Sequence, residues 1–150
     1  MFLRFLYIAR RIQLAIMRPV LFGVRVMLVQ DGRAIIIRHT YRKGWFLPGG
    51  GIKGGETVEE AARREVREET GAEMGEVRLI GIYTAYDEGF SGHNILFACE
   101  DFKIVGQPDH EIAEARAVGL DEFPDGLFRG HRQKIEAYLK KEKIPSAGLW

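Results

Sequence analysis

A single cysteine, Cys99, is all the sequence offers for covalent cross-linking, so no internal disulfide is available to it. Its place in the apolar run Ile95–Cys99 reads as an inert, buried thiol, and a reducing, cytoplasmic setting is the expectation. Charge of one sign is equally scarce. The formal net charge of +1 gives no global pull on nucleic acid, and no basic stripe with interleaved aromatics runs along the chain, so no nucleic-acid partner is expected. Long uncharged apolar runs are missing as well, which argues against a spanning helix. Internal repeats and low-complexity segments are absent. What remains is a chain of 150 residues, long enough for one domain with one core.

Glycine, by contrast, is concentrated. Gly49, Gly50, Gly51, Gly54 and Gly55 lie in the run from Pro48 to Ala72, PGGGIKGGETVEEAARREVREETGA. Side chains are thereby removed where backbone must approach a ligand or adopt positive φ. This loop feeds directly into a predicted helix, whose first N–H groups and dipole attract anions. Thr57 with Glu60 three residues on reads as a capping box, and Gly71 as the stop.

At about 100° per residue, Glu65, Glu68 and Glu69 share a helical sector with Val58, Ala61 and Ala62, while Glu59, Glu60, Arg63 and Arg67 lie opposite. The outer set is balanced by Glu59 with Arg63 and Glu60 with Arg64 at i,i+4. Within the inner set only Glu68 has a cation in reach, Arg64. Small apolar neighbours imply partial burial of the acidic face. There each like-charge pair at about 6 Å would cost roughly 3 kcal/mol at an effective dielectric near 20. A positive group is therefore expected in that space, and oxygen donors without His or Cys suit Mg²⁺ or Mn²⁺.

Gly50, five residues, Glu56, seven residues, then Arg64, Glu65, Val66, one residue, Glu68, Glu69, one residue, Gly71 and Ala72 resembles the complete signature of the Nudix hydrolases. Trp45–Pro48 is similar to the strand entering that family's loop, and Glu111–Pro124 to its late acidic segment and strand. The resemblance covers roughly Val20 to Leu139 and divides the chain into an N-terminal amphipathic helix, 1–18, and a Nudix hydrolase domain, 19–150. It implies an α/β fold, an α/β/α sandwich with a mixed sheet. The implied activity is metal-dependent hydrolysis of a nucleoside diphosphate linked to another moiety, by water attack on phosphorus. Carried over by position, Glu65, Glu68 and Glu69 would bind metal, with the Gly49 carbonyl as a further ligand. Gly50 would belong to the ligand-binding loop. Arg64 would orient a glutamate, and Glu56 would brace loop and helix or join the metal set. The general base is either Glu65 or a later carboxylate, Glu114 or Glu111, with counting back from the last strand favouring Glu114. Ala117 departs from the pattern, since many relatives carry Trp there. A nucleotide-binding regulatory domain of the same type without catalysis is the alternative.

Elsewhere, strands are expected at Gly23–Gln30 and Arg33–Arg38 around an Asp31-Gly32 turn, and at Trp45–Leu47, Val77–Ala85, Asn94–Glu100 and Arg116–Leu120. An amphipathic helix is expected at Arg129–Lys143. Arg38, His39, Arg42 and Lys43 are candidates for a terminal phosphate, and Tyr83, Tyr86 and Phe90 for stacking on a base; solvated turns and packing are the competing readings. In the N-terminal arm Arg4, Arg11 and Arg18 recur every seven residues and make a basic stripe on an apolar helix. Packing of this arm on the domain or on a second copy, as in a homodimer, is favoured over peripheral contact with an anionic membrane surface. ADP-ribose, nucleotide sugars, dinucleoside polyphosphates and oxidised nucleoside triphosphates all stay open as substrates.

Overall fold

A computed structural model describes residues 2–17, 20–87 and 90–150. The order is α1 (Phe2–Met17), β1 (Leu21–Gln30), β2 (Arg33–His39), α2 (Val58–Thr70), β3 (Ala72–Met74), β4 (Arg78–Asp87), β5 (Phe90–Cys99), β6 (Phe102–Ile104), β7 (Ile112–Val118), α3 (Arg129–Leu139) and β8 (Ala147–Leu149). Six strands form a mixed sheet in the order β7-β2-β1-β5-β4-β8, and β3 pairs with β6 in a second, two-stranded sheet. The α/β class read from the sequence holds.

Alternation along β1 explains the layers. Val24, Val26 and Leu28 face α2 through Ala61, Ala62 and Val66, while Met27 and Val29 face the opposite cluster with Ile135 of α3. Side chains of successive strand residues point to opposite faces, so one apolar strand serves two cores. Full burial of each Ile, Leu or Val contributes about 1.5–3 kcal/mol. The β1–β2 turn has Asp31 at φ 52° and Gly32 at φ 72°. Two positive φ values in succession match the right-handed twist of a tight hairpin.

β1 divides its edge between two partners. Toward its end it pairs with β2, Val29 opposite Ala34. Toward its start the Val24 and Val26 N–H groups donate instead to the Gly50 and Pro48 carbonyls, both at 2.9 Å. The glycine loop is thus held as a short rail beside the central strand. The expected strand Trp45–Leu47 is reduced to isolated bridges, Ile37 with Phe46 and Trp45 with Leu127. β7 begins earlier than expected, and α3 stops at Leu139 rather than Lys143. The short strands β3, β6 and β8 carry too few residues for a periodic signal.

α1 rests on the domain through Tyr7, whose ring lies 5.4 Å from that of Tyr41. Phe5, Ile8 and Ile12 on its other side are exposed. Of the proposed basic stripe, Arg4 is exposed, whereas Arg18 and the side chain of Arg11 lie outside the described residues. No described helix is long and apolar enough to cross a membrane.

Candidate active site

Helix α2 begins and ends as its sequence dictates. Thr57 accepts from the Glu60 N–H and the Glu60 carboxylate accepts from the Thr57 N–H, while Gly71 closes the helix at φ 70°. Such a cap stabilises a helix by about 1 kcal/mol. Fixed ends set the rotation of the helix, and the buried stripe runs through Ala61, Ala62, Val66, Glu69 and Thr70. This stripe is turned from the expected acidic sector. Glu69 is 7% exposed at its centre, Glu65 lies at the margin, and Glu68 with a side chain 43% exposed lies outside it. Val58 is exposed too.

Two glutamates converge on the glycine rail. The Gly49 N–H donates to Glu69 Oε2 at 2.6 Å. A Cβ built on Gly50 would stand 2.6 Å from the Glu65 carboxylate, so any other residue there would displace that carboxylate. Gly49 has φ 137°, and a Cβ there would meet the Val24 carbonyl at 2.1 Å. Backbone approach and positive φ require glycine at 49, and glycine at 50 keeps the Glu65 carboxylate where it is.

Arg64 ties the loop to the helix. Its Nε and Nη2 donate to the two Glu56 oxygens at 3.0 and 2.7 Å, and Nη1 donates to Glu65 at 2.6 Å and Glu68 at 3.2 Å. Glu56 also accepts from the Lys53 N–H at 2.6 Å. The forked Arg64 bond and this N–H hold the Glu56 carboxyl down at about 2. Glu56 therefore braces loop and helix through Arg64. The expectation that only Glu68 has a cation in reach needs correction, because Arg64 reaches Glu65 as well.

A further cation was not singled out in the sequence. Arg25, the one charge within Val24–Val29, donates through Nη1 to the Gly49 carbonyl, and its Nε is enclosed without a partner. Burial lowers its pKa while Glu69 opposes that shift. For Glu69, burial outweighs the Gly49 N–H and Arg25 and pushes the carboxyl up to about 8. His39 Nε2 stands 3.8 Å from Glu69 Oε1, yet burial and the charges of Arg25 and Arg42 lower the imidazole to about 4. That contact is consequently not an ion pair near neutral pH. A charge inside an apolar strand was the signal that could have marked Arg25.

These groups line a cavity of about 420 Å³ shared by Glu65, Glu69, Gly49–Gly51, Arg25, His39, Tyr41, Arg42 and Glu111. Phe22, His93, Asn94, Tyr7 and Arg10 are among the other residues of its walls. Glu111, not Glu114, is the late carboxylate that reaches it. Tyr41 hydrogen-bonds Glu111, and burial together with that carboxylate pushes the phenol up to about 12. Glu114 instead pairs with Arg38 at 3.1 Å, the two side chains being 40% and 44% exposed. Arg38 also stands over the Trp45 ring. Arg38 and Glu114 are thus placed away from the cavity, whereas the neighbouring His39, across a register shift in the β2–β7 pairing, lines it. Tyr83 is fully buried, with its hydroxyl donating to the Pro145 carbonyl, and is core rather than a stacking surface. Tyr86 is exposed, and the Phe90 side chain lies outside the described residues.

The side chains that meet the rail directly, Glu65 and Glu69, offer carboxylate oxygens, and such donors suit a hard divalent cation. The Gly49 carbonyl keeps a second lone pair beyond its bond to Arg25. Among the described residues no three ligating side chains already stand together at coordinating distances. Arg64 and the Gly49 N–H hold those oxygens in this arrangement.

The family model described as NUDIX domain matches residues 17–139. An ADP-ribose pyrophosphatase of Methanocaldococcus jannaschii is 32% identical over 119 residues, which cover 76% of this chain and 70% of that protein. An RNA pyrophosphohydrolase of Xanthomonas oryzae pv. oryzae is 45% identical over 56 residues, 37% of this chain and 27% of that protein. The crystal structure of a MutT NUDIX hydrolase from Burkholderia pseudomallei superposes with a TM-score of 0.70 at 25% identity, covering 79% of this chain and 97% of that one. With the signature filled, the fold matched and the loop-and-helix geometry in place, the chain belongs to the Nudix family.

Proposed function

We propose that this chain is a pyrophosphohydrolase, dependent on Mg²⁺ or Mn²⁺, that cleaves a nucleoside diphosphate joined to another moiety. The convergence of the Glu65 and Glu69 carboxylates on the Gly49–Gly50 backbone, at a cavity also lined by Arg25, Arg42 and Glu111, carries this reading. Glu65, Glu68, Glu69 and the Gly49 carbonyl are the groups that would hold the metal, with Glu56 acting through Arg64. When bound, such ions neutralise phosphate charge and lower the pKa of a coordinated water. Arg25 and Arg42 orient the diphosphate by guanidinium–phosphate bonds. Tyr41 fixes the Glu111 carboxylate, which takes the proton of the attacking water. The water oxygen bonds to phosphorus, the bridging P–O bond breaks, and a nucleoside monophosphate leaves with the phosphorylated second moiety.

The residues of the domain, 19–150, supply this chemistry, and α1 is a separate addition to it. The relatives' names differ in substrate, so the second moiety is tested rather than assigned. ADP-ribose, nucleotide sugars, dinucleoside polyphosphates, oxidised nucleoside triphosphates and 5′-triphosphorylated RNA would be incubated with the protein and followed by ³¹P NMR. Turnover that requires Mg²⁺ or Mn²⁺ and stops on adding EDTA is expected. Nucleotide binding without any turnover would instead mark a regulatory domain.

A further inference from the structure

Helix α1 lies almost wholly before residue 17, where the family match begins, yet two of its side chains line the cavity. Tyr7 and Arg10 are three apart and so share a helix face. Tyr7 meets Tyr41 ring to ring at 5.4 Å, and Tyr41 in turn hydrogen-bonds Glu111. The helix is therefore seated against the side of the cavity that carries the proposed base.

Arg10 differs from the arginines that are already paired. Arg33, Arg38, Arg63, Arg64 and Arg132 each meet a carboxylate. Among the described residues Arg10 makes no hydrogen bond or ion pair, although it borders a cavity that holds Glu65, Glu69 and Glu111. The same cavity already contains Arg25 and Arg42. Glu65, Glu69 and Glu111 offset that positive charge in the protein alone, and a divalent ion held by Glu65 and Glu69 would leave the space net positive and attractive to an anion. A guanidinium forks two parallel N–H groups toward phosphate oxygens, so an anion of that shape satisfies it best.

We infer that Arg10 is a substrate-binding residue supplied from outside the family domain, gripping a phosphate of the nucleoside diphosphate, and that Tyr7 is the positioning residue that holds it there against Tyr41. The inference rests on the phosphohydrolase reading above and adds a specificity element to the same site. Helix α1 thereby contributes part of the wall of the substrate site.

Isothermal titration of the full chain with ADP in Mg²⁺ buffer, alongside Arg10→Ala, Arg10→Lys and Tyr7→Ala, provides the test. Losing a charge-assisted hydrogen bond weakens binding about ten- to a hundredfold, and Arg10→Ala is expected to weaken ADP by that amount. KM for the substrate found in the screen should rise in parallel with kcat little changed. Arg10→Lys should recover part of the affinity, because the charge stays while the fork is lost. Tyr7→Ala should raise KM without changing the pH profile of kcat. Circular dichroism should report an unchanged fold, as Arg10 is exposed. An ADP affinity in Arg10→Ala equal to wild type overturns the inference alone. A wild-type chain that neither binds ADP nor cleaves any of the panel overturns the phosphohydrolase reading and this inference together.

Discussion

Volume alone does not find the chemistry in this molecule. A groove of about 670 Å³ lies at the β1–β2 hairpin end, floored by Leu79, Ile80, Leu139 and Ile144. Its charged residues, Asp31, Arg78, Glu100, Lys141 and Glu142, are all exposed. Tyr138 bridges two of them, accepting from Arg78 at 2.9 Å and donating to Glu100 at 2.7 Å. The smaller cavity near the glycine rail instead encloses Glu69, His39 and the Nε of Arg25, with the carboxyl pushed up and the imidazole pushed down. Burying charge without full pairing costs stability, so it persists where another role requires it. Titratable groups held out of water mark the site here, and volume does not.

Glu69→Gln should break the comparison most sharply. Gln keeps an acceptor for the Gly49 N–H but cannot carry the negative charge a divalent ion needs. Turnover is expected to fall by at least about a hundredfold, beyond the loss of an outer partner of a metal ligand. Scanning calorimetry should meanwhile show a thermal midpoint unchanged or raised, since the carboxylate's desolvation is relieved. Full activity in this variant would remove Glu69 from the machinery.

His131 sharpens the comparison as a buried polar group with a structural role. It is 5% exposed, accepts from the Leu47 N–H at 3.0 Å through Nδ1, and packs edge-on against Trp150. Burial, helped by Arg25 and Arg42, lowers its pKa well below 6.5. The fold thus favours the neutral ring, and the unfolded chain takes up the proton first. Its stabilising contribution is complete above about pH 6.5 and is lost as pH falls toward the folded pKa, at up to about 1.4 kcal/mol per pH unit. His131→Asn retains an acceptor and cannot titrate. Urea unfolding at stepped pH should give a slope below pH 6.5 smaller than wild type by about one proton. Identical slopes would show that the ring titrates normally in the fold.

The smallest effect is expected in the larger groove. Tyr138→Phe removes the bridge between Arg78 and Glu100, which lies at the surface, and should cost about 0.5–1.5 kcal/mol in stability. kcat/KM should stay at the wild-type value. A loss of turnover there would couple the two cavities and undo the contrast drawn between them.

Legibility in the sequence followed the range of the interaction. The capping box at Thr57 and Glu60, the Gly71 stop and the Asp31-Gly32 hairpin are contacts within a few residues, and each appears where it was expected. The rotation of α2 was less legible. Spacing grouped Glu65, Glu68 and Glu69, but packing of Ala62 and Val66 against β1 turned Glu69 inward and left Glu68 in water. Glu111 lies in the turn before β7, Glu114 within the strand, and the β2–β7 register shifts between them, so only one of the two reaches the cavity. Nothing local says which one.

The order of residues alone determined the loop, the capped helix and the family signature, because each depends on backbone preferences and spacing along one segment. Tertiary structure decided the partners. It brought Arg25 from β1 to the Gly49 carbonyl, placed His39 rather than Arg38 in the cavity, and set Tyr7 of α1 against Tyr41. Those meetings depend on sheet pairing and on which face each strand buries, and such choices are settled only when distant segments compete for the same core.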